Sequence, residues 1–214
     1  MSKTDEPDTS SEDGSNQPID FYFDFSSPYA YLISGKIDEM AQLYGRAVNW
    51  RPVLLGVIFK TTGAVPLLDQ PLKGTYSRRD MERMARLYGV PLAFPEVSPF
   101  PSVPAARAIY WIQDQDPKLA RKVARALFDE AWGKGGDIRD AEAVVRIAAE
   151  AGVDAAALTA ALQDNAVKER LKTEIEAAMA AGVCGSPFFI VDGEPFWGAD
   201  RLDQVEHWLA TGGW

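Results

Sequence analysis

Apolar and aromatic residues alternate along Ile19–Phe25, where three phenylalanines share one face and Tyr22 lies on the other. Large side chains on both faces are typical of a central strand that is covered on each side. A helical period follows through YLISGKIDEMAQLY and ends at Gly45, and AVNWRPVLL then predicts a second strand. A helix that joins two strands in this order predicts a parallel βαβ unit.

The middle of the chain changes character at about Gly56. The stretch GVIFKTTGAVPLLDQPLKG is rich in glycine and proline and predicts a loop. VPLAFPEVSPFPSVP holds five prolines and predicts an extended, irregular run. Helical periods predict the remaining segments of this region, namely YSRRDMERMARLYG, Ala105–Gln113, Pro117–Trp132, Ala141–Gly152 and Asp154–Ala181.

After Gly182 the strand pattern returns. FFIV and EPFW are joined by Asp192-Gly193, a two-residue turn signal, and therefore predict a hairpin. GADRLDQVEHWLA predicts a closing amphipathic helix with Asp200 as its N-cap. The order βαβ, helical insertion, ββα predicts an α/β thioredoxin-like fold that is split by an all-helical domain.

These patterns also predict the domain boundaries. Residues 19–56 and 182–214 form the thioredoxin-like domain, and residues 57–181 form the inserted helical domain. Residues 1–18 form an acidic N-terminal tail: the first 17 residues contain five acidic residues and one lysine, with no aromatic residue. Such a segment cannot bury enough apolar area to offset its ordering entropy, so we expect it to be disordered.

Composition excludes several classes of function. The chain has 214 residues and a formal net charge of −9, which argues against nucleic acid or an anionic membrane surface as a partner. It lacks a signal peptide pattern and an apolar run of about 20 residues that could span a membrane. One cysteine, Cys184, and one histidine, His207, allow neither an intramolecular disulfide nor a His/Cys zinc site. A single cysteine fits a reducing compartment, so we predict a cytoplasmic protein.

The start of the first helix carries the candidate chemistry. Ser27 is predicted as its N-cap and Pro28 as its first residue, where the missing N–H costs nothing. A thioredoxin-type oxidoreductase would carry a Cys-x-x-Cys motif at this junction, so dithiol exchange is excluded. A serine hydroxyl at a helix N-terminus has two possible roles. It could serve as a helix cap alone, or it could also stabilise a thiolate that another molecule supplies.

Several separated motifs resemble one family. FDFSSPYAYL, LLGVIFKTTG, LKGTYSRRD, ARLYGVP and GVCGSPFFIVDGEPFWGADRLD are similar to 2-hydroxychromene-2-carboxylate isomerases. These resemble the kappa class of glutathione transferases, and both resemble DsbA-type proteins in their helical insertion. The resemblance runs from about Ile19 to the C-terminus. It implies a thioredoxin-like fold, bound glutathione, a small aromatic substrate and a homodimer.

The resemblance also implies roles for individual residues. Ser27 matches the serine that faces the glutathione sulfur, and Pro187 matches the cis-proline. The backbone of Ser186 would pair with the cysteinyl backbone of glutathione as an added strand does. Asp200 matches the acid that binds the γ-glutamyl amino group.

Four further positions complete the implied glutathione site. Ala199 and Arg201 flank the acid, and Lys60 and Lys73 match lysines of the binding loop, of which Lys73 would bind the glycyl carboxylate. The chain departs from the family at Ala64, where asparagine is frequent, and at Cys184, where an aromatic residue is common. The proline-rich segment, which lines the second-substrate site in the family, also lacks a frequent asparagine.

Three hypotheses about function follow. The first is an isomerase that interconverts 2-hydroxychromene-2-carboxylate and trans-o-hydroxybenzylidenepyruvate, or a related aromatic catabolic intermediate, by reversible thiolate addition. Lys60 or Arg107 would orient the substrate carboxylate. The second is a kappa-like glutathione transferase, in which the thiolate adds and stays. The third is a non-catalytic thioredoxin-like domain that binds a peptide beside the cis-proline. Cys184 is interpreted as a small buried residue and His207 as structural.

Overall fold

The computed structural model describes residues 17–214. Of the tail predicted for residues 1–18, residues 1–16 lie outside the described residues. None of the helices in the described part of the chain is both long and apolar enough to cross a membrane. In chain order the elements are β1 (Ile19–Phe23), α1 (Pro28–Leu43), β2 (Val48–Pro52), α2 (Leu55–Thr62), α3 (Lys73–Tyr88), α4 (Val103–Gln113), α5 (Pro117–Phe128), α6 (Ala141–Ala151), α7 (Ala155–Gln163), α8 (Asn165–Ala180), β3 (Phe188–Val191), β4 (Glu194–Trp197) and α9 (Leu202–Thr211).

The four strands form one sheet in the order β2-β1-β3-β4. β1 pairs in parallel with β2, with Phe21 opposite Trp50, and antiparallel with β3, with Phe21 opposite Phe189. β3 and β4 form the predicted hairpin. β1 is therefore an internal strand with both faces covered, and the predicted α/β thioredoxin-like fold is confirmed.

The sheet and the inserted helices share one continuous apolar core. The ring of Phe128, from α5, lies 5.4 Å from that of Phe23 and 4.9 Å from that of Phe25, centre to centre. All three side chains are fully buried. The inserted helices therefore pack directly beneath the end of β1, and the boundaries at residues 56/57 and 181/182 stay a prediction.

Three predicted elements differ from the structure. The predicted loop after Gly56 begins as helix α2, which ends at Gly63, where φ is 71°. Glycine at this left-handed position ends a helix as readily as it forms a loop, and the pattern alone did not separate the two. The helix predicted over Asp154–Ala181 is two helices, because Asp164 has extended angles and accepts a hydrogen bond from the N–H of Ala166.

The third difference concerns the helix predicted over Pro117–Trp132. Regular α-helix ends at Phe128, and the segment Asp129–Gly133 continues as a π-helical turn. This turn carries the Trp132 side chain into the core, where its Nε1–H donates to the carbonyl oxygen of Phe25 at 2.8 Å. The inserted helices therefore hold the backbone that leads into Ser27.

Replacing Trp132 by phenylalanine should leave the buried carbonyl of Phe25 without its donor. An unsatisfied buried group costs about 1–3 kcal/mol, so we expect the free energy of unfolding in urea to fall by that amount. Trp111→Phe, on half-buried Trp111 of α4, is the matched control for the loss of an indole. An equal loss of stability in the two variants would contradict the role of this hydrogen bond.

Candidate functional site

Ser27 lies where β1 turns into α1. It has extended backbone angles (φ −93°, ψ 109°), and its Oγ accepts a hydrogen bond from the N–H of Ala30 at 3.3 Å, so the predicted N-cap is confirmed. The same hydroxyl donates to the carbonyl oxygen of Ser186 at 2.9 Å. The side chain is therefore both a helix cap and a bridge to a distant loop.

The loop around Ser186 leads into β3. The Ser186–Pro187 peptide bond is cis, as the resemblance implies. Ser186 Oγ accepts from the N–H of Asp24 at 2.8 Å, and the carbonyl of Pro187 accepts from the N–H of Gly198 at 3.0 Å. Gly185 packs against the side chain of Trp197, and a Cβ at Gly185 would lie 2.2 Å from Nε1 of that indole unless the side chain moved. The loop is thus fixed from β1 and from the end of β4.

Asp200 lies in a short 3₁₀ turn, Ala199–Arg201, between β4 and α9. Its carboxylate is exposed, pairs with Arg201 at 3.3 Å and caps neither the turn nor α9, so the predicted N-cap at Asp200 is wrong. The turn begins at Gly198, where φ is 111°, and a Cβ there would lie 2.5 Å from Asp200 Oδ1. Because the N–H of Gly198 donates to the carbonyl of Pro187, Gly198 links the turn that carries Asp200 to the cis-proline loop. Ala199 is buried, whereas the carboxylate faces outward.

Lys60 and Lys73 are both exposed. Lys60 is in the last turn of α2, and Lys73 is the first residue of α3. Within residues 17–214, neither hydrogen bonds nor ion pairs join these two lysines to Ser27, Ser186 or Asp200. The structure therefore brings together Ser27, Ser186, Pro187 and Asp200, and leaves the two lysines as separate charges at the ends of the neighbouring helices.

Sequence reasoning missed Asp24, which lies directly beneath Ser27. Its carboxylate accepts from the N–H of Ser26 at 2.8 Å, from the N–H of Leu55 at 2.6 Å and from the hydroxyl of Ser102 at 2.7 Å. The side chain is 3% exposed. Burial raises the pKa of Asp24, and these hydrogen bonds oppose the rise. The available signal was a lone acid within the buried run FYFDF, because a buried carboxyl needs donors.

The proline-rich segment and α3 lie beside the first turn of α1. The Tyr29 hydroxyl donates to Asp80 at 3.0 Å, and burial raises the pKa of this phenol, so it stays neutral at physiological pH. The guanidinium of Arg78 lies 4.0 Å from the centre of the Phe94 ring. Clefts of about 90 and 320 Å³ lie next to Phe100 and Ala85, outside the Ser27 cluster. Neither of these two clefts is lined by Ser27, Ser186 or Asp200.

The single cysteine lies close to the cis-proline loop. Cys184 is partly buried, and burial raises the pKa of its thiol. Raising the pKa lowers the fraction of thiolate, which is the reactive form. The interpretation of Cys184 as a packing residue stays a prediction, and the partly buried thiol with its raised pKa is consistent with it. His207 lies exposed on α9, with its ring 5.2 Å from that of Trp214.

Comparison with known proteins gives a consistent result. A family model described as a DSBA-like thioredoxin domain matches residues 18–210. A 2-hydroxychromene-2-carboxylate isomerase of Sphingobium xenophagum is 33% identical over 193 residues, which cover 89% of this chain and 97% of that protein. Glutathione S-transferase kappa 1 of Homo sapiens is 27% identical and covers 89% of this chain and 90% of its own length.

The structural comparison points the same way. A solved structure of a 2-hydroxychromene-2-carboxylate isomerase superimposes with a TM-score of 0.81 at 30% identity, covering 90% of this chain and 94% of that one. Both the sheet and the inserted helices are therefore shared. The chain belongs to the DSBA-like thioredoxin family and, within it, to the 2-hydroxychromene-2-carboxylate isomerase family, and it is also similar to a kappa-class glutathione transferase.

Proposed function

We propose that the chain is a glutathione-dependent isomerase of 2-hydroxychromene-2-carboxylate and trans-o-hydroxybenzylidenepyruvate, or of a related aromatic catabolic intermediate. The observation that carries the proposal is the hydrogen bond from Ser27 Oγ to the carbonyl of Ser186, at 2.9 Å. It puts a hydroxyl donor at a helix N-terminus, next to the backbone of the cis-proline loop. The similarity to named isomerases over nearly the whole chain supports the reaction class.

The residues present fit the chemistry of glutathione. This tripeptide carries an ammonium and a carboxylate at its γ-glutamyl end, a thiol in the middle and a carboxylate at its glycyl end. The exposed carboxylate of Asp200 suits the ammonium group, and the exposed lysine Lys73 suits the glycyl carboxylate. Lys60, in the last turn of α2, offers a second exposed cation. The backbone of Ser186 suits the cysteinyl backbone, and Ser27 suits the sulfur.

The N-terminus of α1 favours an anion at this position. The helix has 16 residues, and its first turn contains no acidic side chain that would neutralise the positive end of its dipole. Pro28 is the first residue of α1 and has no N–H to donate. The Ser27 hydroxyl is therefore the side-chain donor at the start of this helix. A free thiol with a pKa of about 8.5 is only about 3% ionised at pH 7. Lowering that pKa by about two units takes about 2.7 kcal/mol of differential stabilisation.

Ser27 would exchange its hydrogen-bond acceptor when glutathione binds. A hydroxyl has one proton, and in the structure that proton points to the carbonyl of Ser186. The cysteinyl N–H can replace it at this carbonyl, and the hydroxyl is then free to turn toward the sulfur. Ala30 N–H still donates to Oγ, so the oxygen keeps its place at the helix start.

Glutathione, when bound, would supply a thiolate that adds to an electron-poor carbon of the substrate and leaves after rotation about the bond that has become single. The protein's part is to hold the sulfur as an anion and to orient the substrate carboxylate. For the second task we propose Lys60 or Arg107. Arg107 lies on α4, five residues after Ser102, and its Nε is buried without a hydrogen-bond partner among residues 17–214.

A kappa-like glutathione transferase is the second candidate, because the same site would serve and a kappa-class relative covers 89% of this chain. The two activities differ in the fate of glutathione. Incubation with a tenfold excess of hydroxychromene carboxylate should convert the substrate while all glutathione is recovered. Consumption of one glutathione per turnover would instead establish the transferase.

A non-catalytic peptide-binding domain is the third possibility. Calorimetry with millimolar glutathione separates it from both enzymes, because only they need to bind the tripeptide. The homodimer and the cytoplasmic location that the resemblance and the single cysteine imply stay predictions. Sedimentation equilibrium tests the homodimer.

Ser27→Ala should raise the pKa of the bound glutathione thiol. A hydrogen bond to a charged group contributes roughly 1.5–3 kcal/mol, so the rise should be about one to two units, with about 1 kcal/mol lost in protein stability. The measurement is the ultraviolet absorbance of the thiolate against pH. Ser34→Ala is the matched control, since Ser34 is a buried serine of the same helix that donates to Tyr31 O at 2.8 Å. Superimposable titrations of wild type and Ser27→Ala would reduce Ser27 to a helix cap.

Asp200→Asn should weaken glutathione binding about tenfold or more, because the amide cannot form an ion pair with the γ-glutamyl ammonium. Calorimetric titration gives the dissociation constant, and Asp203→Asn, an exposed aspartate in the first turn of α9, controls for the change in net charge. A glutathione analogue that lacks the amino group should bind wild type and Asp200→Asn equally. Unchanged affinity of Asp200→Asn for glutathione itself would remove Asp200 from the site.

Cys184→Ala should keep most of the activity, because the buried thiol has a raised pKa and carries little thiolate at neutral pH. Steady-state rates and thermal unfolding of the variant check this. A hundredfold loss of rate in a variant that stays folded, about 2.7 kcal/mol in the barrier, would make Cys184 a participant in the reaction.

A further inference from the structure

Asp24 is a buried carboxyl whose hydrogen-bond partners are all neutral. The side chain is 3% exposed, and none of the ion pairs found among residues 17–214 includes it. The start of α2 presents the N–H of Leu55, the start of α4 presents the Ser102 hydroxyl, and the turn after β1 presents the N–H of Ser26. A buried charge without a counter-ion is costly. We therefore look for the role of Asp24 in the three segments that its carboxyl holds together.

Both residues of the Ser27–Ser186 contact are hydrogen-bonded to this one residue. The carbonyl of Asp24 accepts from the N–H of Ser27 at 2.9 Å, and its own N–H donates to Ser186 Oγ at 2.8 Å. Its carboxylate holds Ser26 on one oxygen and Leu55, at the first residue of α2, on the other. Asp24 is thus hydrogen-bonded to both Ser27 and Ser186, and these two residues are joined to each other by the 2.9 Å contact from Ser27 Oγ to Ser186 O.

An amide at this position could not make the same bonds. Oδ1 and Oδ2 each face a backbone N–H, from Ser26 and Leu55 respectively. An asparagine in either orientation sets an NH₂ group against one of these donors, at 2.8 or 2.6 Å. Asp24→Asn therefore keeps the shape of the side chain but must displace the turn that carries Ser27, or the start of α2.

We propose that Asp24 is a positioning residue of the sulfur site, which fixes the Ser27 hydroxyl beside the Ser186 carbonyl through its hydrogen bonds to Ser26, Leu55, Ser102 and Ser186. The inference rests on the proposed glutathione chemistry for its effect on the thiol, but not for its effect on the loop. The proposal also predicts the direction in which the thiol pKa changes, and a purely electrostatic role predicts the opposite direction. A carboxylate acting only as a nearby negative charge would disfavour the thiolate, so its removal would lower the thiol pKa. A carboxylate that holds Ser27 in place favours the thiolate, so its removal raises the thiol pKa.

The test is a double-mutant cycle on the pKa of the bound glutathione thiol. Wild type, Asp24→Asn, Ser27→Ala and the double variant are titrated by thiolate absorbance. We expect Asp24→Asn to raise the pKa by about one unit when Ser27 is present, and by almost nothing when Ser27 is alanine. Asp114→Asn, an exposed aspartate just after α4, should leave the titration unchanged. A fall in pKa, no change, or an equal rise in both backgrounds overturns the proposal.

A second measurement does not depend on glutathione. In the free protein, amide hydrogen exchange at Ser26 and Leu55 should be at least tenfold faster in Asp24→Asn than in wild type or Asp114→Asn. If wild type binds no glutathione, the proposed function fails while this arm still decides whether Asp24 holds the loop. Unchanged exchange at both amides overturns the positioning role.

Ser102→Ala keeps the inference testable if Asp24→Asn does not fold. This change removes one donor, leaves the carboxylate in place and alters no charge. It should raise the thiol pKa by less than Asp24→Asn does, and the rise should again vanish when Ser27 is alanine. A Ser102→Ala protein with the wild-type titration and wild-type exchange at Ser26 would overturn the proposal.

Discussion

Because β1 lies between β2 and β3, its carboxyl end comes out beside the loop that leads into β3, and Ser27 meets Ser186 although 159 residues separate them. The antiparallel pairing with β3 sets this approach, since Tyr22 lies opposite Phe188, one residue after Pro187. The aromatic side chains of β1 keep the strand internal, because Phe21 and Phe23 are fully buried under the helices. The site is therefore a consequence of strand order, and its two halves come from opposite ends of the chain.

The residues that local sequence rules could identify are those with local structure. Ser27 and Pro28 form a cap in which every bond lies within four residues, and Asp192-Gly193 closes a hairpin whose strands are adjacent. Local rules failed where two structures share one signal. The glycine at position 63 ends α2 rather than opening a loop, and the aspartate at position 200 has the right spacing for a cap but turns its carboxylate toward Gly198 and Arg201.

Asp24 illustrates what a local pattern cannot contain. Its position in FYFDF predicts a buried strand residue, and the structure agrees that it is buried. Its partners, however, stand 31, 78 and 162 residues away in the sequence. Only the folded chain brings Leu55 and Ser102 to the carboxyl of Asp24 and Ser186 to its backbone N–H, so a local pattern could not assign these contacts. The resemblance to a family implies roles for Ser186 and Asp200, and the structure shows that Gly198, at the start of the Asp200 turn, donates to the carbonyl of Pro187.

Two negative charges close together would oppose each other, and the site limits that conflict. Burial raises the pKa of Asp24, and the hydrogen bonds to its carboxyl oppose that rise. Two of the three donors to its carboxyl lie at the starts of α2 and α4, and the third is the N–H of Ser26 in the turn before α1. The first turn of α1 adds no acid of its own, and Ser27 presents a neutral donor. An arrangement of this kind suits a site whose anion arrives with a ligand. In the free protein the Ser27 hydroxyl donates to the carbonyl oxygen of Ser186, and the carboxyl of Asp24 beneath the turn accepts from the N–H of Ser26.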